Sequence, residues 1–174
     1  YVSNYFTYNY RTDGNTRSMY DHISPRSVYY EYDGAGRLLR EYNDGRQNEV
    51  EYRYEYDASG NRTKKTVVEN PNEYYGSRAE SIVTSTYDKA NRLLSIVSGV
   101  VTTAYTYDAN GNLLSDEKGI YTYNSRGSLK TFSENGITTS YTYSPTGLRK
   151  TKYTAGHEGK RYTWENGNII YEHT

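Results

Sequence analysis

Asp33, Asp57, Asp88 and Asp108 each directly follow a tyrosine, and carboxylates held in pairs can do general acid–base chemistry. Their placement argues for a different task. Each occupies the same position in a recurring segment, as expected of residues that form turns. His22, His157 and His173 show no ligand spacing and read as surface histidines. Cysteine is absent, which removes disulfides and thiolate metal sites. No Gly-x-Ser-x-Gly, phosphate-binding glycine loop or His-Glu-x-x-His occurs. Asn61-Arg62-Thr63 matches a glycosylation sequon, but it falls on a repeated turn and reads as coincidence. No cofactor, no metal and no catalysis are expected.

The tyrosines remain. The chain has 24 of them among 174 residues, whereas Leu, Ile, Val and Phe together number only 26. Mean hydropathy is −1.03, a value that often accompanies disorder. Two features oppose disorder: 21 basic residues balance 21 acidic ones, and tyrosine favours pleated strands. Phenol rings thus supply the apolar area that aliphatic side chains do not. The balanced charge gives no electrostatic reason to expect nucleic acid as a partner. No apolar run is long enough for a transmembrane helix.

The elements that carry these residues repeat. The clearest copies are Tyr30-Glu-Tyr32-Asp33-Gly-Ala-Gly36-Arg37-Leu38, Tyr54-Glu-Tyr56-Asp57-Ala-Ser-Gly60-Asn61-Arg62, Ser85-Thr-Tyr87-Asp88-Lys-Ala-Asn91-Arg92-Leu93 and Tyr105-Thr-Tyr107-Asp108-Ala-Asn-Gly111-Asn112-Leu113. Weaker copies run from Tyr121 through Tyr123, Asn124 and Gly127, and from Tyr141 through Tyr143, Ser144 and Gly147. A degenerate one centres on Tyr162 and Trp164. Tyr-x-Tyr has period two, which places both rings on one strand face. The following Asp, Asn or Ser accepts hydrogen bonds from nearby backbone N–H groups and so starts a turn. Three residues later the chain needs positive φ, which Gly tolerates freely and Asn best among the others, as at Asn91. Each unit is therefore a β-hairpin.

Second turns are expected at Asn43-Asp44-Gly45, Ser98-Gly99, Lys118-Gly119, Glu134-Asn135-Gly136 and Gly156-His157-Glu158-Gly159. The rhythm breaks near residues 13–26 and again near 67–78. There Pro71 disfavours a central strand, and a longer surface loop is expected. Asp13-Gly14-Asn15-Thr16 echoes the turn and suggests an incomplete copy.

This Tyr-Asp-x-x-Gly-Asn/Arg-Leu core, recurring from about Tyr30 to Ile169, resembles the YD repeats of the RHS/YD-repeat family. That family includes bacterial RHS and wall-associated polymorphic toxins, the cocoon subunits of Tc toxin complexes and the teneurin shell domain. The resemblance implies hairpins lined up into a ribbon that spirals into a hollow β-shell around a toxin or other cargo. Two departures bear on function. The copies are few for a closed shell, and the family's Asp-Pro-x-Gly-Leu cleavage segment has only Ser144-Pro145-Thr146-Gly147-Leu148 as its nearest match. Self-cleavage and toxicity are not carried over.

The expected fold is all-β, a single array over residues 1–174 of six or seven consecutive antiparallel hairpins, clearest from 30 to 170. These form a curved ribbon or arc with the tyrosines on its concave face. The chain opens on Tyr1 and reads as a piece of a longer secreted or cell-surface product. The expected role is a non-catalytic part of an encapsulating shell or extracellular scaffold, partnered by other repeats and an enclosed polypeptide. Two alternatives stand beside it. One is a carbohydrate-binding or adhesion face made by Tyr30, Tyr32, Tyr54, Tyr56, Tyr87, Tyr105, Tyr107, Tyr121, Tyr123, Tyr141, Tyr143 and Trp164. The other is self-assembly through open strand edges.

Overall fold

In a computed structural model, which describes residues 5–45, 49–73 and 76–174, the chain is all-β. Its strands are antiparallel and within each of two sheets each pairs with its sequence neighbour, so every connection inside a sheet is a hairpin. One sheet contains β1 (Phe6–Tyr10), β2 (Thr16–Asp21), β3 (Arg26–Tyr32), β4 (Leu38–Gly45), β5 (Val50–Tyr56), β6 (Arg62–Glu69), β7 (Ala79–Tyr87), β8 (Leu93–Ser98) and β9 (Val101–Ala104). The other contains β10 (Thr106–Tyr107), β11 (Leu113–Ser115), β12 (Ile120–Tyr123), β13 (Leu129–Glu134), β14 (Ile137–Tyr143), β15 (Arg149–Thr154), β16 (Lys160–Glu165) and β17 (Asn168–His173). Neither sheet closes into a barrel. The strands thus form two sheets where one continuous ribbon was expected; Tyr105 lies outside both flanking strands.

The repeat appears in the register. A bulge falls just before the second aromatic of each unit, at Glu31/Tyr32, Glu55/Tyr56, Thr86/Tyr87, Thr106/Tyr107, Thr122/Tyr123, Thr142/Tyr143 and Thr163/Trp164. The same bulge occurs at Asn9/Tyr10, so the first hairpin is a complete copy. Sequence disguises it because Arg11 stands where Asp stands elsewhere, although Arg11 N–H still donates to the Asn15 carbonyl at 2.8 Å and Gly14 has φ +86°.

Three local expectations are corrected. Thr16–Asp21, inside the segment expected to be irregular, is strand β2. Asn43-Asp44-Gly45 is not a turn but the end of β4, paired with Val28, Ser27 and Arg26, whose ladder outweighs the turn propensity of these residues. Val67, Val68 and Glu69 belong to β6, paired with β5 on one side and β7 on the other. Pro71 falls just beyond the strand end, and the rest of the expected loop includes residues 74 and 75, which lie outside the described residues.

Within every unit but the last the residue between the two aromatics pairs with the residue nine positions later. In the units of Tyr32 and Tyr56 the pair is ionic: Glu31 with Arg40 at 2.8 Å and Glu55 with Lys64 at 2.9 Å. From the next unit onward it is a hydroxyl pair: Thr86 with Ser95, Thr106 with Ser115, Thr122 with Thr131 and Thr142 with Thr151, at 2.6–2.7 Å. The two members change together from copy to copy, as cross-strand neighbours on one face should.

Among the described residues only Val28 and Val68 are buried apolar side chains. No aliphatic core holds the sheets; ladders, rings and side-chain hydrogen bonds must do so.

Candidate functional site

The repeated turn is built around one carboxylate. Asp33 Oδ1 accepts from the N–H groups of Ala35 and Arg37, both at 2.9 Å, while Arg37 Nε donates to Oδ2 at 2.6 Å. Asp88 repeats this with Ala90, Arg92 and Arg92 Nε at 2.8, 2.9 and 2.7 Å. Asp108 does so with Asn110, Asn112 and Asn112 Nδ2 at 2.9, 2.8 and 2.8 Å. Asp57 accepts from Asn61 N–H and Nδ2, each at 2.9 Å. The Asn or Arg after the glycine is thus the second arm of the turn, a role that the sequence pattern displays without explaining. Asn124 keeps the two backbone bonds through its amide oxygen at 3.0 Å, and Ser144 keeps one, from Leu148 N–H at 3.1 Å. The residues at the third position after these all take positive φ: 78° at Gly36, 89° at Gly60, 61° at Asn91, 86° at Gly111, 76° at Gly127 and 86° at Gly147.

These bonds hold all four aspartates below the usual carboxylate range. The backbone N–H of the residue four along leads for Asp33 and Asp88, and the asparagine side-chain amide leads for Asp57 and Asp108. A carboxylate so held stays ionised, with its lone pairs occupied, and is poorly suited to proton transfer near neutral pH. A pKa lowered on folding gives stability that is present above the unfolded value near 3.8 and lost as pH falls through the folded value. Urea midpoints are therefore expected to be level above about pH 5 and to fall below about pH 4. Replacing all four aspartates by Asn should flatten that acid limb, and an unchanged limb would count against the turns as its source.

The tyrosine face is the second feature. The rings at Tyr30, Tyr32, Tyr54, Tyr56, Tyr87, Tyr105, Tyr107, Tyr121, Tyr123, Tyr141, Tyr143 and Trp164 are all half-buried, whereas the residues between them face solvent. The second aromatic of a unit reaches back to the preceding hairpin. Tyr56 Oη donates to the Leu38 carbonyl at 2.8 Å, Tyr87 Oη to that of Arg62 at 3.0 Å and Tyr143 Oη to that of Leu129 at 2.9 Å. Trp164 Nε1 does the same to Arg149 at 2.7 Å. The acceptor is in each case the first residue of the preceding returning strand. One signal for this was legible: the position holds only rings with a polar donor, and both phenylalanines lie elsewhere. Cations cover the rings, with Arg37 5.0 Å from the centroid of Tyr56 and Arg62 5.6 Å from that of Tyr54. Burial and the Asp116 carboxylate, which accepts from its hydroxyl at 3.1 Å, push Tyr121 up to about 12, away from any role as a base at neutral pH.

Sequence reading missed one cluster. Glu51, 3% exposed, lies between Arg40 and Arg53 on the face opposite the tyrosines, with Arg53 Nη2 at 2.6 Å. His22 sits between Tyr5 and Tyr20, with Nε2 2.7 Å from Thr7 Oγ1. Among the described residues no group of His, Asp and Glu is arranged to hold a metal ion, and no helix is long and apolar enough to cross a membrane.

The RHS Repeat family matches residues 32–69, which span the Tyr32–Asp33 turn through the end of β6. That segment carries the RHS repeat. No curated protein matches it. Among solved structures, 95% of this chain superposes on the crystal structure of TcdB2-TccC3-Cdc42 with TM-score 0.60 and 16% identity. TcdB2-TccC3 alone gives TM-score 0.58 at 15% identity over the same share. A mutant Tc holotoxin pore of Photorhabdus luminescens gives 0.51 at 20% identity over 91%. The chain spans 11% of the length of each of these chains. At such identities the likeness establishes the fold alone.

Proposed function

We propose that this chain is a non-catalytic wall segment of an RHS-type β-shell on a secreted or surface protein, and that the shell encloses a polypeptide. The observation that carries this reading is the bond from the second aromatic of four units, Tyr56, Tyr87, Tyr143 and Trp164, to the strand carbonyl of the unit before it. Such a bond has value only in an array, because it ties neighbouring hairpins rather than closing one. The open order of the sheets, in which β1 and β17 are outer strands among the described residues, supports the same reading. The carboxylates are committed to turns, which supports a wall without chemistry of its own. A glycan-binding role for the tyrosine face draws less support, since its ring donors and faces are engaged by carbonyls and arginines. Cryo-electron microscopy of the intact gene product is expected to show a hollow particle with these hairpins in its wall. A solid or extended particle from which the segment projects would overturn the proposal.

A further inference from the structure

Four adjacent strands of the second sheet place Thr142, Thr151, Arg161 and His173 in one row. Thr142 lies opposite Thr151, Thr151 opposite Arg161, and Arg161 opposite His173. Directly opposed residues share a face, and strands are about 4.8 Å apart, so the row spans roughly 14 Å. The 2.6 Å contact between the two threonine hydroxyls fixes that face. The bulge at Thr142/Tyr143 shifts the facing strand, and Lys150 joins the lining. Together with Tyr162 these residues line a groove of about 520 Å³.

The charge in this groove is unbalanced. On the corresponding face of the first sheet Arg40, Arg53 and Lys64 all have carboxylate partners, in Glu31, Glu51 and Glu55. Strands β14 to β17 carry Arg149, Lys150, Lys152, Lys160 and Arg161 against only Glu165 and Glu172. Glu172 is committed to Lys160 at 2.5 Å and lies opposite Tyr162, so it belongs to the other face. Glu165 lies at the far end of β16, paired with Asn168. Among the described residues Lys150 and Arg161 therefore face a hydroxyl-lined groove without a carboxylate in its lining.

We propose that this groove binds a tetrahedral oxyanion, a phosphate or sulfate group carried free or on an ester. The guanidinium of Arg161 offers a planar fork to two oxygens, Lys150 a point charge, and Thr142 and Thr151 hydroxyl donors. His173 adds a ring N–H donor. The site lies on the solvent face, away from the aromatic bonds between hairpins, so it works whether or not the chain forms a shell wall.

Amide chemical shifts of the 174-residue chain, followed during titration with inorganic phosphate and with sulfate at constant ionic strength, test the proposal. Saturating shifts are expected at Thr142, Lys150, Thr151, Arg161 and His173. Arg161→Gln should weaken binding about tenfold or more, the loss expected for a charge-assisted hydrogen bond, and Lys89→Gln, in a turn of the first sheet, should not. Tighter binding of phosphate identifies a phosphoryl-bearing ligand, and tighter binding of sulfate a sulfate ester. Equal shifts with chloride or acetate, or an unchanged affinity in Arg161→Gln, would overturn the site.

Discussion

Gly119→Ala is expected to disrupt the second sheet, at a cost of about 3 kcal/mol or more in urea unfolding. A β-carbon at this position would lie 2.0 Å from the Ser133 carbonyl oxygen and 3.1 Å from the Phe132 ring. The obstacle is mainly backbone, and it belongs to the ladder in which Ile120 pairs with Ser133. It cannot rotate away as a side chain could. Relief requires moving β12 from β13, and the strands to either side are paired to them. Gly60→Ala provides the contrast. Its φ is +89°, yet the nearest atom to an added β-carbon is the Arg37 guanidinium at 3.9 Å. The cost there is only that of a left-handed non-glycine residue, about 1–2 kcal/mol. If the two substitutions shift the urea midpoint equally, the close approach at Gly119 is not real.

These two glycines show where sequence reading stops. Asp116-Glu117-Lys118-Gly119 has the same Asp-x-x-Gly spacing as Asp33-Gly-Ala-Gly36. At Gly36 the glycine is required by its own φ of 78°, a local property that Asn91 shares in its copy and so reveals. At Gly119 it is required by a neighbour fourteen residues later, and nothing local records that. The same division runs through the whole molecule. Hairpins, turns and the tyrosine face were legible because each is written within about nine residues. The pairing of Glu31 with Arg40, and its replacement by Thr106 with Ser115, was also visible in principle, since both members lie in one repeat. The hub of Glu51 with Arg40 and Arg53, and the aromatic bonds to the preceding hairpin, join different units. The partners of both became visible only once the register was fixed, although the restriction of the second aromatic to rings with a polar donor was legible. The valines at 67 and 68 were read as loop because Pro71 dominated the local signal, although β-branched pairs favour strand.

Those two valines carry the second large expectation. Val68 is fully buried, at 0% exposure, whereas Val67 on the opposite face is partly exposed. Val68 lies directly across from Glu51 on one side and Glu80 on the other. An aspartate at 68 would be a buried anion flanked by two carboxylates, and the nearby Arg40 and Arg53 already serve Glu51. Val68→Asp should therefore cost more than about 4 kcal/mol, enough to unfold the first sheet outright. Val68→Ala, which removes only apolar burial and leaves a small cavity, should cost about 2 kcal/mol. Val67→Asp, across from Tyr52 and Ser81 on a face open to water, should cost about 1 kcal/mol. The pH dependence separates charge from shape. Burial and like charge raise the folded pKa of the new carboxyl, so the penalty is greatest above its unfolded value near 3.9 and shrinks as acid neutralises it. Val68→Asp should thus recover part of its deficit relative to the parent chain between about pH 6 and pH 4, where Val68→Ala shows no such recovery. A deficit that stays constant with pH would mean that Val68 matters for its volume alone and that Glu51 and Glu80 do not act on that position.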